Sequence, residues 1–529
     1  MASFVIAVAS LLLASLLHRW FKRPSVKHVK GPPSPSFWLG HERVLRDQGN
    51  AGDLETKWRK EYGTLYRIAG CFGQDILVVC DPQALKHIFH SSHPYPKSQD
   101  NAFILDLVVG KGLVTVDDET HHRQRKIMNP AFSLAQLQKA QVIFQQCSDK
   151  LVNGIQGSLA RTGTDDTINV LDWTSKAALD IIGLASFRYD FGSLDGQNTE
   201  LGQAMRHIFT ASQSNSTALE LILVALIRMV PYSALGFLKL FSTREFRQLA
   251  SVGNLAKTTA REVMASHDGV QMPEGDGDIV DMLGQFTARA RFTGKMQDDE
   301  IEAQLMTFVV AGHETTSISL SWLLYELAEH SEHQSIIRAE LKQSNDYDSM
   351  PFLNAAIKES LRLHPNSHTF IRTAPHDDVL PLSGGKELVI PKGQTLFCSA
   401  HLYNRHAFPM LLQCEFSLTR TFSSLPSLWG DDADEWNPSR FFDKTLPVLL
   451  GVYANLMTFS TGSRSCIGWR FAVTEMQTML AKLILHFEFS LPEGVEVQQF
   501  PGSPSVVPIV KGKAHLGSQL PLRVRVLHQ

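Results

Sequence analysis

The sequence predicts one mainly α-helical domain with a small β-rich lobe. Helical patterning marks residues 298–329, the segment carrying Glu359 and Arg362, and an apolar run from Phe471 onward. Strand-like composition is confined to two places. Tyr66-Arg67-Ile68 and Ile76-Leu77-Val78-Val79 read as a β pair, and 505–510 and 520–526 have the composition of strands. Pro508 restricts the first of these to a sheet edge. No repeat or internal linker divides the 529 residues, and length alone is only a soft guide to domain count.

Charge narrows the partners. Fifty Lys and Arg against 53 Asp and Glu leave a net charge of −3, with no basic excess to suit nucleic acid. The six cysteines are Cys71, Cys80, Cys147, Cys398, Cys414 and Cys466. None forms a C-x-x-C pair and their spacing outlines no disulfide framework. Reduced, cytosol-facing thiols fit best.

Residues 1–17 carry no charged side chain and are mostly Ala, Val, Leu and Ile. As a helix they reach roughly 25 Å, slightly short of the ~30 Å hydrocarbon core of a bilayer. Arg19, Trp20, Phe21, Lys22 and Arg23 follow, side chains that anchor at an interface and compensate for a short span. Positive charge after the apolar run keeps that side cytosolic, whereas a cleaved leader carries it before. The expectation is an uncleaved membrane anchor at 1–23, a stiff Pro-rich hinge at 24–40, and a catalytic domain over 41–529. A second apolar stretch, 218–241, is interrupted by Pro231, so an unbroken second span is not expected. A buried core helix is one reading of it.

The most informative stretch is Phe459-Ser460-Thr461-Gly462-Ser463-Arg464-Ser465-Cys466-Ile467-Gly468. Its five fixed positions, F-x-x-G-x-R-x-C-x-G, recur by chance about 10⁻⁴ times in a chain this long. Cys466 lies just before the predicted helix, where backbone N–H groups and the helix dipole favour an anionic sulfur. Gly462 and Gly468 are expected to let backbone come close to that sulfur. An isolated Cys in a glycine-containing loop is more often buried and inert; the whole motif outweighs that.

This loop resembles the haem-ligand loop of the cytochrome P-450 family, fungal microsomal type, and the resemblance runs over most of the chain. It implies the P-450 fold around one buried haem b (iron protoporphyrin IX), with Cys466 as axial ligand to the iron. A thiolate ligand pushes electron density onto iron and favours O–O cleavage. Phe459 would pack against ring and sulfur, and Arg464 suits a propionate.

Four further motifs follow in the order the family expects. Ala311-Gly312-His313-Glu314-Thr315-Thr316 resembles the oxygen-activating helix. Ala311 and Gly312 would leave room for O2, Thr315 would hydrogen-bond it, and Glu314 would feed protons. His313-Glu314 also begins H-E-x-x-H, but Ser317 stands where zinc needs its second His. Glu359-Ser360-Leu361-Arg362 places acid and base on one helical face. With Arg440 of Pro438-Ser439-Arg440-Phe441, Glu359 and Arg362 would form the family's structural lock. His121 and Arg125, four apart on one face, would hold a propionate, and Met128-Asn129-Pro130-Ala131-Phe132 supports that placement. Arg372 matches a further propionate-binding arginine, with 367–371 facing substrate. Phe103, Phe308 and Phe370 are expected in an apolar cavity.

Two departures stand out. Residues 407–427, with Cys414 inside, form an insert without a family counterpart, expected as retained intron sequence or else a surface loop. The connection between Leu341 and Met350 is also shorter than usual.

The implied function is a haem-thiolate monooxygenase of the endoplasmic reticulum membrane. It would take NADPH electrons from an NADPH-cytochrome reductase and insert one oxygen atom of O2 into an apolar small molecule, such as a terpenoid or other fungal secondary metabolite. The alternative is a reductase-independent haem-thiolate isomerase or dehydratase, whose members usually lack the acid–Thr pair present here. A haem-binding sensor or carrier would not need that pair either. Turnover with reductase, NADPH and O2 separates the three.

Overall fold

A computed structural model describes residues 25–91, 95–162, 167–197, 217–229, 244–267, 293–405, 429–442, 450–501 and 505–527, with isolated positions between 284 and 291. The proposed anchor at 1–23 and the insert at 407–427 lie outside the described residues. Among those described, no helix is long and apolar enough to cross a membrane.

Helices that position the site are α1 (Pro82–His90), α2 (Asp118–Met128), α3 (Leu134–Thr162), α4 (Val170–Phe187), α5 (Asp298–Glu329), α6 (Pro351–Leu363) and α7 (Trp469–His486). Their ends follow capping rules. Asp81 caps α1 by accepting from the backbone N–H groups of Gln83 and Ala84, with Pro82 in the first turn. Gln297 and Glu300 close a capping box on α5, and Asp298, Asp299 and Glu300 complement its dipole. Pro351 opens α6. Helix α5 runs through the main apolar core and packs on α4, α6 and α7. It coincides with the predicted 298–329.

The β lobe is a four-stranded sheet of β1 (Leu65–Ala69), β2 (Asp75–Val79), β3 (Thr369–Thr373) and β4 (Thr395–Ser399), ordered β1-β2-β4-β3. β1 and β2 pair antiparallel, Tyr66 opposite Val78, which bears out the predicted pair. At the C-terminus the strands are Pro508–Val510 and Pro521–Val526. The first starts later than expected, at Pro508, and pairs only with Val497–Gln499, the edge position that a residue without N–H requires. Ala218–Met229 is a helix of 12 residues, ending ahead of Pro231.

The Pro-rich stretch does not behave as a free hinge. Lys30 accepts the backbone N–H of Arg67 (2.9 Å), extending the sheet edge. Asp75 accepts from the Ser25 hydroxyl (3.0 Å) and the Val26 N–H (3.1 Å), and pairs with Arg67 (3.0 Å). Val26 and Pro32 are buried. Proline stiffness therefore serves docking rather than spacing. Replacing Asp75 with Ala leaves the buried Val26 N–H unpaired and is expected to cost about 2 kcal/mol. Thermal unfolding and faster limited proteolysis within 25–31 check it.

Candidate functional site

The loop 457–468 is held from three sides. Cys466 N–H donates to the Phe459 carbonyl (2.8 Å) and Ser465 N–H to Gly462 (3.1 Å). From α2, Arg125 donates to the Ser465 carbonyl (2.6 Å). From α6, the Leu361 carbonyl accepts from Thr458 (2.6 Å), whose hydroxyl also accepts from Asn404 (2.9 Å). Gly462 has φ +70°, and a Cβ there would lie 2.1 Å from the Phe89 carbonyl at the end of α1. Its glycine is thus required by a left-handed backbone against α1, not by approach to the sulfur. Gly468 caps α7 with a negative φ, and a Cβ would meet only Phe132 at 3.6 Å.

Cys466 sits just ahead of α7, as expected. Burial raises its thiol pKa, while a hydrogen bond from Gly468 and the charge of Arg125 oppose that rise. The residue is nonetheless exposed. Both hold for a side chain on the wall of an internal opening. Glu314 shows the same pairing: it retains accessible surface, yet burial alone drives its carboxyl well above the usual range. Burial therefore disfavours the Glu314 anion. Ala311 is exposed in a helix otherwise mostly buried. Thr315 donates its hydroxyl back to the Ala311 carbonyl (2.6 Å), a bond that perturbs a helix locally. Gly312 faces away: a Cβ would lie 2.8 Å from Ile182 of α4. Ala311, not Gly312, gives the open surface. His313 turns toward Ser175 (3.3 Å).

Glu359, Arg362 and Arg440 meet, fully or almost fully buried. Arg362 Nε and Nη2 grip both oxygens of Glu359 (2.7 and 2.9 Å), and Arg440 Nε adds a third bond (2.8 Å). The remaining donors of Arg362 reach the carbonyls of Asn404 (3.1 Å), Ala433 (2.5 Å) and Glu435 (3.1 Å). Arg440 continues to Asp432 (3.0 Å) and the Trp429 carbonyl.

A cationic group gathers beside the loop. Arg464 donates to the Val116 carbonyl (2.5 Å) and pairs with Asp117 (2.7 Å). Arg372 is 6% exposed, lies over the Phe89 ring, and among the described residues its guanidinium donates only to the Ile371 carbonyl (3.0 Å). His121 is 6% exposed and its imidazole makes no hydrogen bond among the described residues; burial, then Arg464, Arg125 and Lys97, push its pKa down to about 3. Lys97, bridged to Arg372 through the backbone, was not found by sequence reasoning, nor were Asp117 and Ser465. No motif marks them. Of the predicted aromatics, Phe308 packs on Phe132 (5.4 Å) and Phe370 on Phe89 (6.1 Å), and Phe103 is buried on the helix Gln99–Val109.

Comparison with known proteins gives a match to the Cytochrome P450 family over residues 30–409 and 420–516. The chain belongs to the cytochrome P450 family. Similar P450s include Cytochrome P450 monooxygenase 205 of Postia placenta (29% identical, 95% of this chain and 93% of that one). Others are monooxygenase claQ of Ampulloclitocybe clavipes (29%, 97% and 96%) and monooxygenase 91 of Postia placenta (30%, 91% of each). The family and the monooxygenase relatives identify a P450 oxidoreductase that uses a haem-thiolate cofactor, O2 and an organic substrate. The P450 match breaks at 410–419, a shorter unmatched piece than the 407–427 expected.

The interior fits such a cofactor. Among the described residues, the carboxylates that act on Arg125, Arg372, Arg464 and Lys97 are those of Asp117 and Asp118. Buried cations without partners are costly, and a ligand bearing two carboxylates balances them. The enclosed yet open sulfur supplies the soft donor.

Replacing Glu359 with Gln is expected to cost about 3–5 kcal/mol, because two buried guanidinium groups lose their anion. Circular-dichroism melting of haem-free and haem-loaded protein should show the loss in both. Gly462→Ala should lower soluble yield and haem content together.

Proposed function

We propose that this P450 inserts one oxygen atom of O2 into an apolar small molecule, a terpenoid or another fungal secondary metabolite, with NADPH electrons from a flavoprotein reductase. The observation that carries the reading is the Glu314 carboxyl, its pKa raised by burial, beside Thr315 on α5. We assign haem b as the cofactor; when bound through the Cys466 thiolate it supplies the redox chemistry and O–O cleavage.

The chain's own groups have separate tasks. Cys466, kept toward the thiolate by the Gly468 N–H and Arg125, is the metal ligand. Phe459 fixes the loop by accepting the Cys466 N–H, Gly462 by seating it on α1, and Gly468 by capping α7. Arg464, Arg125, Arg372 and His121 hold the carboxylates of the cofactor; neutral His121 does so as an N–H donor. Glu359, Arg362 and Arg440 keep the proximal segment in register. Glu314 holds a transferable proton at its carboxyl. Thr315 must release the Ala311 carbonyl to donate elsewhere, so its proton becomes available only when a better acceptor arrives. Phe370 and Ile371, within the substrate-facing 367–371, supply apolar lining that excludes water from that acceptor.

The arrangement of an anchor at 1–23, a docked Pro-rich segment and a catalytic domain is the reading for the whole chain, with the domain on the cytosolic side of the endoplasmic reticulum membrane. Residues 407–427 are retained intron sequence on this reading; mature transcripts that keep those codons refute it.

Thr315→Ala should retain haem and lose product, with NADPH consumption diverted to hydrogen peroxide, typically by about 10²-fold in coupling-limited rate. Measured ratios of product and peroxide to NADPH check it, and unchanged ratios refute the assignment. The cofactor reading itself is tested by the reduced carbonyl adduct of purified protein: a Soret maximum not displaced toward the thiolate position overturns it.

A further inference from the structure

We infer that His90 is a positioning residue for the metal ligand: from the last turn of α1 it holds the Cys466 loop through the hydroxyl of Thr461. The inference rests on the cofactor assignment above and deepens it.

The backbone of the loop is what calls for a holder. Ser460 has φ +57° and ψ −167°, close to a conformation almost reserved for glycine. Gly462, two residues on, is also at positive φ, +70°, and Thr461 lies extended between them at φ −151°. A residue with a Cβ stays in such a conformation only where its surroundings over-determine it. The Ser460 side chain does not help, because its hydroxyl is buried with no hydrogen-bond partner among the described residues. The backbone supplies one restraint, the Ser460 N–H donated to the Met457 carbonyl (2.8 Å).

Helix α1 supplies two more. His90 Nε2 lies 2.8 Å from Thr461 Oγ1, and the carbonyl of Phe89 is the wall against which Gly462 turns. Two consecutive residues at the end of one helix thus meet two consecutive residues of the loop. The Phe89 contact is steric and only pushes; the His90 bond pulls. Thr461 is 2% exposed, so water does not readily replace the imidazole if it is removed. His90 itself is exposed, so little of the core depends on its packing.

The path from this bond to the sulfur is short. Phe459, two residues before Thr461, accepts the Cys466 N–H (2.8 Å), and Gly462, one residue after, accepts the Ser465 N–H (3.1 Å). Rotation at Ser460 moves these two acceptors relative to each other and disturbs the N–H groups at and beside the ligand. Loss of the His90 bond therefore loosens thiolate ligation before it loosens the fold. A residue with a purely structural role would loosen both together.

The test compares wild type, His90→Ala, His90→Gln, Thr461→Val and the double variant His90→Ala/Thr461→Val as purified holoenzymes. One reading is the rate at which the reduced carbonyl adduct, held at a fixed warm temperature, passes from the displaced Soret band of thiolate ligation to the undisplaced one. The other is the rate at which iodoacetamide modifies Cys466 in the haem-free proteins, followed on its peptide by mass spectrometry; these proteins are melted alongside. His90→Ala should speed the Soret conversion about fivefold and speed Cys466 modification, while the haem-free melting temperature moves by no more than about 2 °C. His90→Gln, which puts an amide nitrogen where Nε2 stood, should restore wild-type rates. The double variant should be no faster than the faster single one, as expected when two residues share one bond. Unchanged rates in His90→Ala overturn the inference. So do single effects that multiply in the double variant, or a fast conversion matched by a fall in haem-free melting. If the wild-type adduct shows no displaced band, the cofactor assignment itself falls, an outcome separate from these.

Discussion

The Glu359 carboxylate is the constraint on which the rest hangs. It sits at full burial between two guanidinium groups, and its partners come from segments about eighty residues apart in sequence. A buried ion pair adds little net stability of its own, but a broken one is expensive. The fold near it therefore tolerates one arrangement of α6, of the segment 429–441 and of the turn at Asn404. Because Asn404 also holds Met457 and Thr458, that arrangement is transmitted to the loop that presents Cys466. Position at the sulfur is inherited from electrostatics on the far side of α6.

A second balance runs in the opposite direction. The lock is complete without any ligand: every donor of Arg362 is used. The cations beside the loop are incomplete: Arg372 uses one donor and Lys97 none among the described residues. The protein thus separates groups that define the scaffold from groups that wait for a partner. The first set makes folding specific; the second makes the folded chain receptive to a dianion. The carboxyl of Glu314 belongs to neither; burial raises its pKa.

Much of this was legible in the sequence because it depends on fixed spacing. The i, i+3 pair Glu359–Arg362, the i, i+4 pair His121–Arg125, the position of Cys466 ahead of α7 and the bounds of α5 are properties of a helix and its ends. What spacing cannot show is what lies across from a residue. Gly312 looked like space near the chemistry and is instead a contact with Ile182. Gly462 looked like access to the sulfur and is a left-handed turn pressed on Phe89. Lys97 and Asp117 carry no motif, because their significance arises only when β3, α2 and the 460s loop meet. The Pro-rich stretch reads as a spacer by composition, and only the sheet edge reveals what it binds.

That stretch has an implication for the whole molecule. With Ser25, Val26 and Lys30 fastened to the sheet, the place where the preceding residues join the body is fixed on its surface. That place is set by two hydrogen bonds to Asp75 and one from Arg67.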